Sequence, residues 1–101
     1  MIVVNAKCRI HPGERAGFIE EVRRIIPLVR NEKGCRRYEL LADVFHPDEF
    51  LFVEEWESQE HLDDHLTCHH MQDYFGKTAS CHSAPPELTI YDVNACRSVK
   101  L

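Results

Sequence analysis

The sequence predicts an α+β domain in which a four-stranded antiparallel sheet carries two helical regions on one of its faces. Two observations predict this architecture: stretches with apolar residues at every second position, and stretches with apolar residues three or four positions apart. These stretches follow one another as strand, helix, strand, strand, helix, strand, and 101 residues is the usual length of one domain.

The first strand is predicted at residues 2–10, where the even-numbered positions are apolar and positions 5, 7 and 9 are polar. Alternation of this kind is typical of a strand that buries one face. The strand should end at His11-Pro12-Gly13, because proline removes a backbone donor and glycine permits a tight turn.

The first helix is predicted at residues 14–33, where apolar side chains recur three and four positions apart and form one stripe. The stripe consists of Ala16, Phe18, Ile19, Val22, Ile25, Ile26 and Val29. Pro27 lies inside the helix and removes one backbone hydrogen bond, so a kink is expected there. Gly34 suits the position just past the C-terminal end.

The second and third strands are predicted at residues 36–43 and 50–56, on either side of the turn-forming residues His46-Pro47-Asp48. The third strand is rich in aromatic residues, which favour sheets.

The second helical region is predicted at residues 59–82, with Ser58 as its cap and a joint near residues 67–68. A last strand at residues 87–93 completes the order βαββαβ, which is the signature of a ferredoxin-like fold. Right-handed crossovers then place both helical regions on the same face of the sheet.

The opposite face of this sheet has no predicted cover within the chain. Val3, Leu51 and Val53 fall on that face by strand parity, so it is not cleanly polar as a solvated sheet face usually is. An exposed apolar patch indicates a partner surface, and a second copy of the same sheet is the simplest cover. The sequence therefore predicts a homodimer through the open sheet face.

Charge and cysteine content narrow the possible partners. The chain has 17 acidic and 12 basic residues, a net charge of -5, and no basic run. It is therefore a poor match for nucleic acid or for an anionic membrane. Its five cysteines, an odd number without a Cys-x-x-Cys pair, favour reduced thiols in the cytoplasm over a disulfide framework.

Four stretches together resemble the antibiotic biosynthesis monooxygenase family, small dimeric α+β barrel proteins with a ferredoxin-like fold. They read RIHPGE at 9–14, IIPLVRNEKGCRRY at 25–38, EEWES at 54–58, and HLDDHL at 61–66 followed by His70, Met71 and Tyr74. The likeness is strongest to quinol monooxygenase-like members. It indicates a single domain over residues 1–93, and the tail at residues 94–101 resembles no known motif.

The resemblance implies a homodimer whose two sheets face each other as a barrel, with a pocket between the sheet and the helices of each subunit. It implies a monooxygenase that oxidises a small aromatic or quinol-type substrate with O2 and uses no bound cofactor or metal. The family also has heme-degrading enzymes, an isomerase and many members without a known substrate. A non-catalytic ligand-binding dimer, an isomerase and a heme-degrading enzyme therefore remain alternatives.

Cofactor-free oxygenation needs a base, a hydrogen-bond donor for an oxyanion, and an apolar pocket. His65 is the candidate base, because it matches the family's helix histidine and an unperturbed histidine titrates near working pH. Glu54, on the inward face, is a candidate for orienting His65 or acting as an acid; a salt bridge to an arginine is the structural alternative. Tyr38 is a candidate donor to the oxyanion, with core packing as its alternative.

The candidate substrate-binding residues are Trp56, His70, Phe52 and Phe75. Trp56 could form a flat wall for an aromatic ring, or pack in the core. His70 starts the last helix, where backbone donors favour a substrate oxygen, and helix capping is its alternative role. Phe52 stands where the best-known polyketide oxygenases have an asparagine, which is a departure from their oxyanion-binding arrangement.

Metal and heme binding are weaker hypotheses. His61, His65 and His69 share one helical face and could bind zinc or nickel together with Cys68 or an acid. The joint near Thr67 should break the alignment of His69 with the other two, and no His-Glu-x-x-His motif exists. Heme-degrading relatives use a first-strand asparagine where Ala6 stands here, and their axial histidine is missing.

The interior of the domain distinguishes the catalytic from the non-catalytic hypotheses. A cavity that encloses His65 and Glu54 favours an enzyme. An interior filled by Phe52, Phe75 and Trp56 favours a packed binding or structural protein.

Overall fold

The computed structural model describes residues 1–101 and has the predicted order of elements. The strands and helices are β1 (Ile2–Arg9), α1 (Arg15–Arg30), β2 (Cys35–Ala42), β3 (Glu49–Trp56), α2 (Gln59–Thr67), α3 (His69–Thr78) and β4 (Glu87–Asp92). A single 3-10 turn, Ala79–Cys81, follows α3. The predicted βαββαβ order is confirmed.

The four strands form one antiparallel sheet in the order β2-β3-β1-β4. The third strand alternates strictly: Phe50, Phe52, Glu54 and Trp56 are buried, whereas the residues between them are half-buried. The helices therefore cover the predicted face, and one carboxylate is carried into the core together with the aromatic side chains.

Helix α1 buries the centre of the predicted stripe but ends three residues earlier than predicted. Phe18, Val22, Ile25 and Val29 are buried. The helix stays continuous through Pro27, which lies on its exposed side. After Arg30 the backbone N–H groups of the next two residues bond to carbonyls three residues back, which closes the helix and begins a turn.

That turn requires Gly34 for two reasons. Its φ of +83° lies in the left-handed region that a side chain disfavours. A Cβ at this position would also come within 2.3 Å of the His61 ring on α2. The turn is therefore held directly against α2, which places Glu32 beside the helices.

The second helical region is divided by the predicted joint. The Ser58 hydroxyl accepts a hydrogen bond from the backbone of His61, which confirms the predicted cap. Cys68 has extended backbone torsions and separates α2 from α3. The predicted end at residue 82 was wrong, because α3 stops at Thr78. The 3-10 turn follows, and His82 then forms an isolated β-bridge with Ile10.

The sheet face away from the helices has no cover within the chain. Val3, Leu51 and Val53 are half-buried there, and Leu41 and Tyr91 are about half-exposed. Residues 94–101 are exposed and form no helix or strand. None of the helices combines the length and the apolar character that crossing a bilayer demands.

Candidate active site

The site is built around the imidazole of His65. Helix α2 is amphipathic, and its apolar side turns Leu62 and His65 into the core. The His65 ring lies against the indole of Trp56, with ring centroids 4.5 Å apart, and against the Tyr38 ring at 5.4 Å. His65 is only 1% exposed, so its orientation is fixed by packing from both sides.

Glu32 holds the tautomer of this histidine. Its carboxylate Oε2 lies 2.9 Å from Nδ1 of His65. A carboxylate can only accept a hydrogen bond, so Nδ1 carries the proton and donates. In the neutral ring Nε2 then keeps its lone pair, and it lies 3.9 Å from Oε1 of Glu54 on the other side of the ring. The neutral ring therefore presents Nε2 as a proton acceptor on the side of Glu54 in β3.

Glu54 has a buried carboxyl group that accepts one hydrogen bond. The indole Nε1 of Trp56 donates to its Oε1 at 3.0 Å. The pKa of Glu54 is raised from 4.5 to about 7, mainly by burial; the indole bond opposes the rise and the nearby Glu32 charge adds to it. Near neutral pH this group can therefore either hold or release a proton.

His65 has the opposite perturbation. Burial lowers its pKa, while the hydrogen bond from Nδ1 to the Glu32 carboxylate partly restores it. The lowered pKa keeps the imidazole neutral at physiological pH. Burial therefore favours the neutral form of both groups, so that His65 can act as a base and the Glu54 carboxyl as an acid.

A small cavity opens beside this pair, between the sheet and α3. Its volume is about 80 Å³. Its wall is mostly apolar and includes His65, Glu54, Tyr38, Phe52, Leu66, Met71, Tyr74, Phe75, His82, Pro86 and Leu88. Burial raises the pKa of Tyr38 well above its usual range, so its phenol stays protonated and can donate.

The cavity borders a wider groove on the outside of the domain. The groove has a volume of about 490 Å³ and shares Phe75, His82 and Pro86 with the cavity wall. Phe75, which is 41% exposed, belongs to the walls of both the cavity and the groove. His82 Nδ1 is buried here and has no hydrogen-bond partner. A buried nitrogen without a partner therefore lies in a residue that the cavity and the groove share.

The structure places the seven predicted site residues in two groups. His65, Glu54, Tyr38, Phe52 and Phe75 line the cavity. Trp56 and His70 do not: Trp56 lies fully buried behind the His65 ring, and Nε2 of His70 lies 2.8 Å from the Glu32 carboxylate.

Glu32 is the polar group that sequence reasoning did not select. It lies in a turn, 33 residues before the histidine it contacts. Two signals could have found it: it falls within the family-like stretch at 25–38, and the Gly34 that follows it indicates a fixed turn past a helix end. Of the other histidines, His61 packs on that turn and bonds Ser58, and His69 is exposed.

Comparison with known proteins matches this chain to a recognised family. The family model described as antibiotic biosynthesis monooxygenase matches residues 1–77. A relative in Escherichia coli named "Probable quinol monooxygenase YgiN" is 33% identical over 84 residues, covering 73% of this chain and 81% of its own.

Solved structures agree with the fold. A conserved protein from Methanosarcina mazei Go1 has a TM-score of 0.86 at 27% identity, with 89% of each chain covered. Rv0793 from Mycobacterium tuberculosis has a TM-score of 0.89 at 24% identity, covering 96% of this chain and 98% of its own. Both share the arrangement of strands and helices described above.

Proposed function

Because the chain belongs to the antibiotic biosynthesis monooxygenase family, we propose that it oxidises a small quinol-type aromatic substrate with O2, using its own side chains and no bound cofactor. The observation that carries this proposal is the cavity wall in which His65 and Glu54 lie together. An interior that was simply packed would have no reason to place a histidine and a carboxyl together in the wall of a cavity.

In the proposed reaction, Nε2 of His65 removes the proton from a ring hydroxyl of the substrate. The imidazolium that forms is stabilised by Glu32, since the Nδ1–H group then makes a charge-assisted hydrogen bond to the carboxylate. Tyr38 lines the same cavity and donates to the ring oxyanion. The substrate becomes an electron-rich anion that can reduce O2.

The oxygen step balances without an external reductant. A ring carbon next to the ionised hydroxyl forms a C–O bond with O2, and the resulting peroxide takes a proton. The O–O bond then breaks as the same ring carbon loses its hydrogen, giving a carbonyl and one water. The ring supplies all four electrons. Glu54, with a pKa of about 7, can protonate the departing oxygen and then take up the proton that the ring carbon loses.

His82 supports a substrate with two oxygens. Its Nδ1 is buried without a partner, and its ring lines the same cavity as His65. A hydroxyl at the far end of a quinol would satisfy that nitrogen, which otherwise costs free energy. The cavity of about 80 Å³ is smaller than the about 150 Å³ that holds benzene in an apolar protein core, so the exposed Phe75 edge must move to admit the ring.

The proposal includes a homodimer. The open sheet face presents Val3, Leu41, Leu51, Val53 and Tyr91, and a second sheet would bury them. Residues 1–93 would form the folded unit of each subunit. All five cysteines are free thiols, which supports a reducing compartment such as the cytoplasm.

The test is oxygen uptake with 1,4-dihydroxynaphthalene in the presence of a chelator, corrected for uncatalysed oxidation. His65→Ala should lower the enzymatic rate by about 10²–10⁴, because general-base assistance is lost. His69→Ala, an exposed histidine on the neighbouring helix, is the matched control and should keep the full rate. Unchanged turnover in folded His65→Ala protein would remove the base assignment.

A further inference from the structure

Four metal-ligating side chains converge behind the cavity, at the joint between α2 and α3. Oε2 of Glu32 lies 2.9 Å from Nδ1 of His65 and 2.8 Å from Nε2 of His70. Nε2 of His70 in turn lies 3.3 Å from Sγ of Cys68. The ligand atoms of Glu32, His65 and Cys68 all fall within 4.8 Å of one another.

The backbone explains why these four groups meet. Cys68 has extended torsions between two helices, so α2 and α3 do not continue in one line. Both the thiol and the first turn of α3 therefore turn back toward the glutamate that follows α1. The Gly34 turn fixes that glutamate against α2 from the other side.

We propose that Glu32, His65, Cys68 and His70 form a binding site for a divalent transition metal of the zinc class. Two imidazole nitrogens, one thiolate and one carboxylate oxygen are the ligand types of four-coordinate zinc. Metal–ligand bonds of about 2.0–2.3 Å at tetrahedral angles separate neighbouring donor atoms by about 3.4 Å. The three contacts given above are slightly shorter, so they need to open by a few tenths of an ångström. The ligand atoms of Glu32, His65 and Cys68 lie up to 4.8 Å apart, so the wider pairs must close toward the ion.

Metal can reach this site from the side away from the cavity. His65 is only 1% exposed, but the side chain of His70 is 25% exposed and that of Glu32 is 14% exposed. Entry past His70 requires no unfolding. Because the metal takes the place of the protons now shared between these groups, binding releases protons and strengthens as pH rises.

Metal bound at this site would prevent His65 from acting as the base. This consequence rests on the proposed function. A neutral imidazole carries one proton. When Nδ1 gives its lone pair to a metal, that proton resides on Nε2, which then donates instead of accepting. His65 could no longer take a proton from a hydroxyl in the cavity. Zinc would therefore act as an inhibitor, and chelation would restore the rate.

Binding is tested separately from activity, by calorimetric titration of the reduced protein with zinc chloride and by absorption spectra with cobalt(II). We expect one metal per chain and a sulfur-to-cobalt charge-transfer band. Cys68→Ser should abolish the band and weaken zinc binding more than about 10²-fold, since even indirect partners of a metal site contribute 10–100-fold. Cys96→Ser, which removes an exposed thiol of the tail, should bind as the unmodified protein does.

A second variant keeps the test independent of Cys68. His70→Gln should also weaken zinc binding, and its fold is checked by circular dichroism. Absence of one-to-one binding, or cobalt spectra unaffected by Cys68→Ser, would overturn the site. If zinc binds at the site but the oxygenation rate is unaffected, the inhibitory role is wrong. If oxygenation is absent in every sample, the proposed function fails while the binding result stands.

Discussion

Replacing Glu32 by glutamine tests how the site produces its base. The carboxylate lies 2.9 Å from Nδ1 of His65, and it is the one acceptor that fixes the tautomer of the buried ring. Glutamine keeps the size and can still accept through its amide oxygen, but it removes the charge that stabilises the imidazolium. A hydrogen bond to a charged group contributes about 1.5–3 kcal/mol, which corresponds to about 10- to 150-fold in rate.

The same substitution should also shift the pH profile of the activity, and the structure specifies the direction of that shift. Glu32 raises the pKa of His65 against the effect of burial, so Glu32→Gln should lower that pKa further. Activity depends on neutral imidazole and rises with pH through the histidine pKa. The acid limb of the profile should therefore shift to lower pH while the maximal rate falls.

Oxygen uptake across pH in chelator-treated buffer measures both effects. Glu20→Gln, on the exposed side of α1, is the matched control and should change neither. A slower Glu32→Gln enzyme whose acid limb stays in place would show that Glu32 merely supports the fold. A limb shifted to higher pH would contradict the electrostatic argument itself.

Three further predictions concern stability and assembly. Glu54 binds its proton more tightly in the folded state, with a pKa of about 7 against 4.5, so unfolding free energy should fall by about 3 kcal/mol as pH rises through that window. Denaturant titrations should show that Glu54→Gln lacks this loss, and an equal pH dependence in both proteins would contradict the burial argument. Gly34→Ala should cost about 1–2 kcal/mol from its φ of +83°, plus the clash with His61, whereas Gly17→Ala on the open face of α1 should be neutral or stabilising in thermal melts. Light scattering should give about twice 11.8 kDa, and Val53→Lys should dissociate or unfold the protein where Glu20→Lys does not. A monomer at micromolar concentration would refute the dimer.

Local pattern was sufficient to predict most of the fold. Alternation in β3 placed Glu54 and Trp56 on the helix face, and Ser58 marked the start of α2. The ends of α1 and α3 were missed because they depend on tertiary contacts. The apolar stripe ends at Val29, and no proline or glycine follows before Gly34 to mark the end of the helix. The turn that holds Glu32 against α2 stops the helix at Arg30.

The sequence predicted site residues only where these residues lie in helices or strands. The family resemblance pointed to His65 and Phe52, and strand parity pointed to Tyr38; all three line one cavity. The turn residue Glu32 has no periodicity, and its partner is distant in sequence. Trp56 faces the predicted side, yet its neighbour there is His65 rather than the cavity. Side-chain packing decides which inward-facing residues line the cavity, and the sequence pattern does not specify that packing.

The most direct test of the central claim is the fate of isotopically heavy dioxygen during turnover of 1,4-dihydroxynaphthalene by protein freed of metal. The proposed mechanism predicts that mass spectrometry finds one heavy oxygen atom in the hydroxyquinone product and the other in water. This incorporation should disappear in His65→Ala protein. Product formed without the label, or label incorporated equally well without His65, would contradict a cofactor-free oxygenation driven by this histidine.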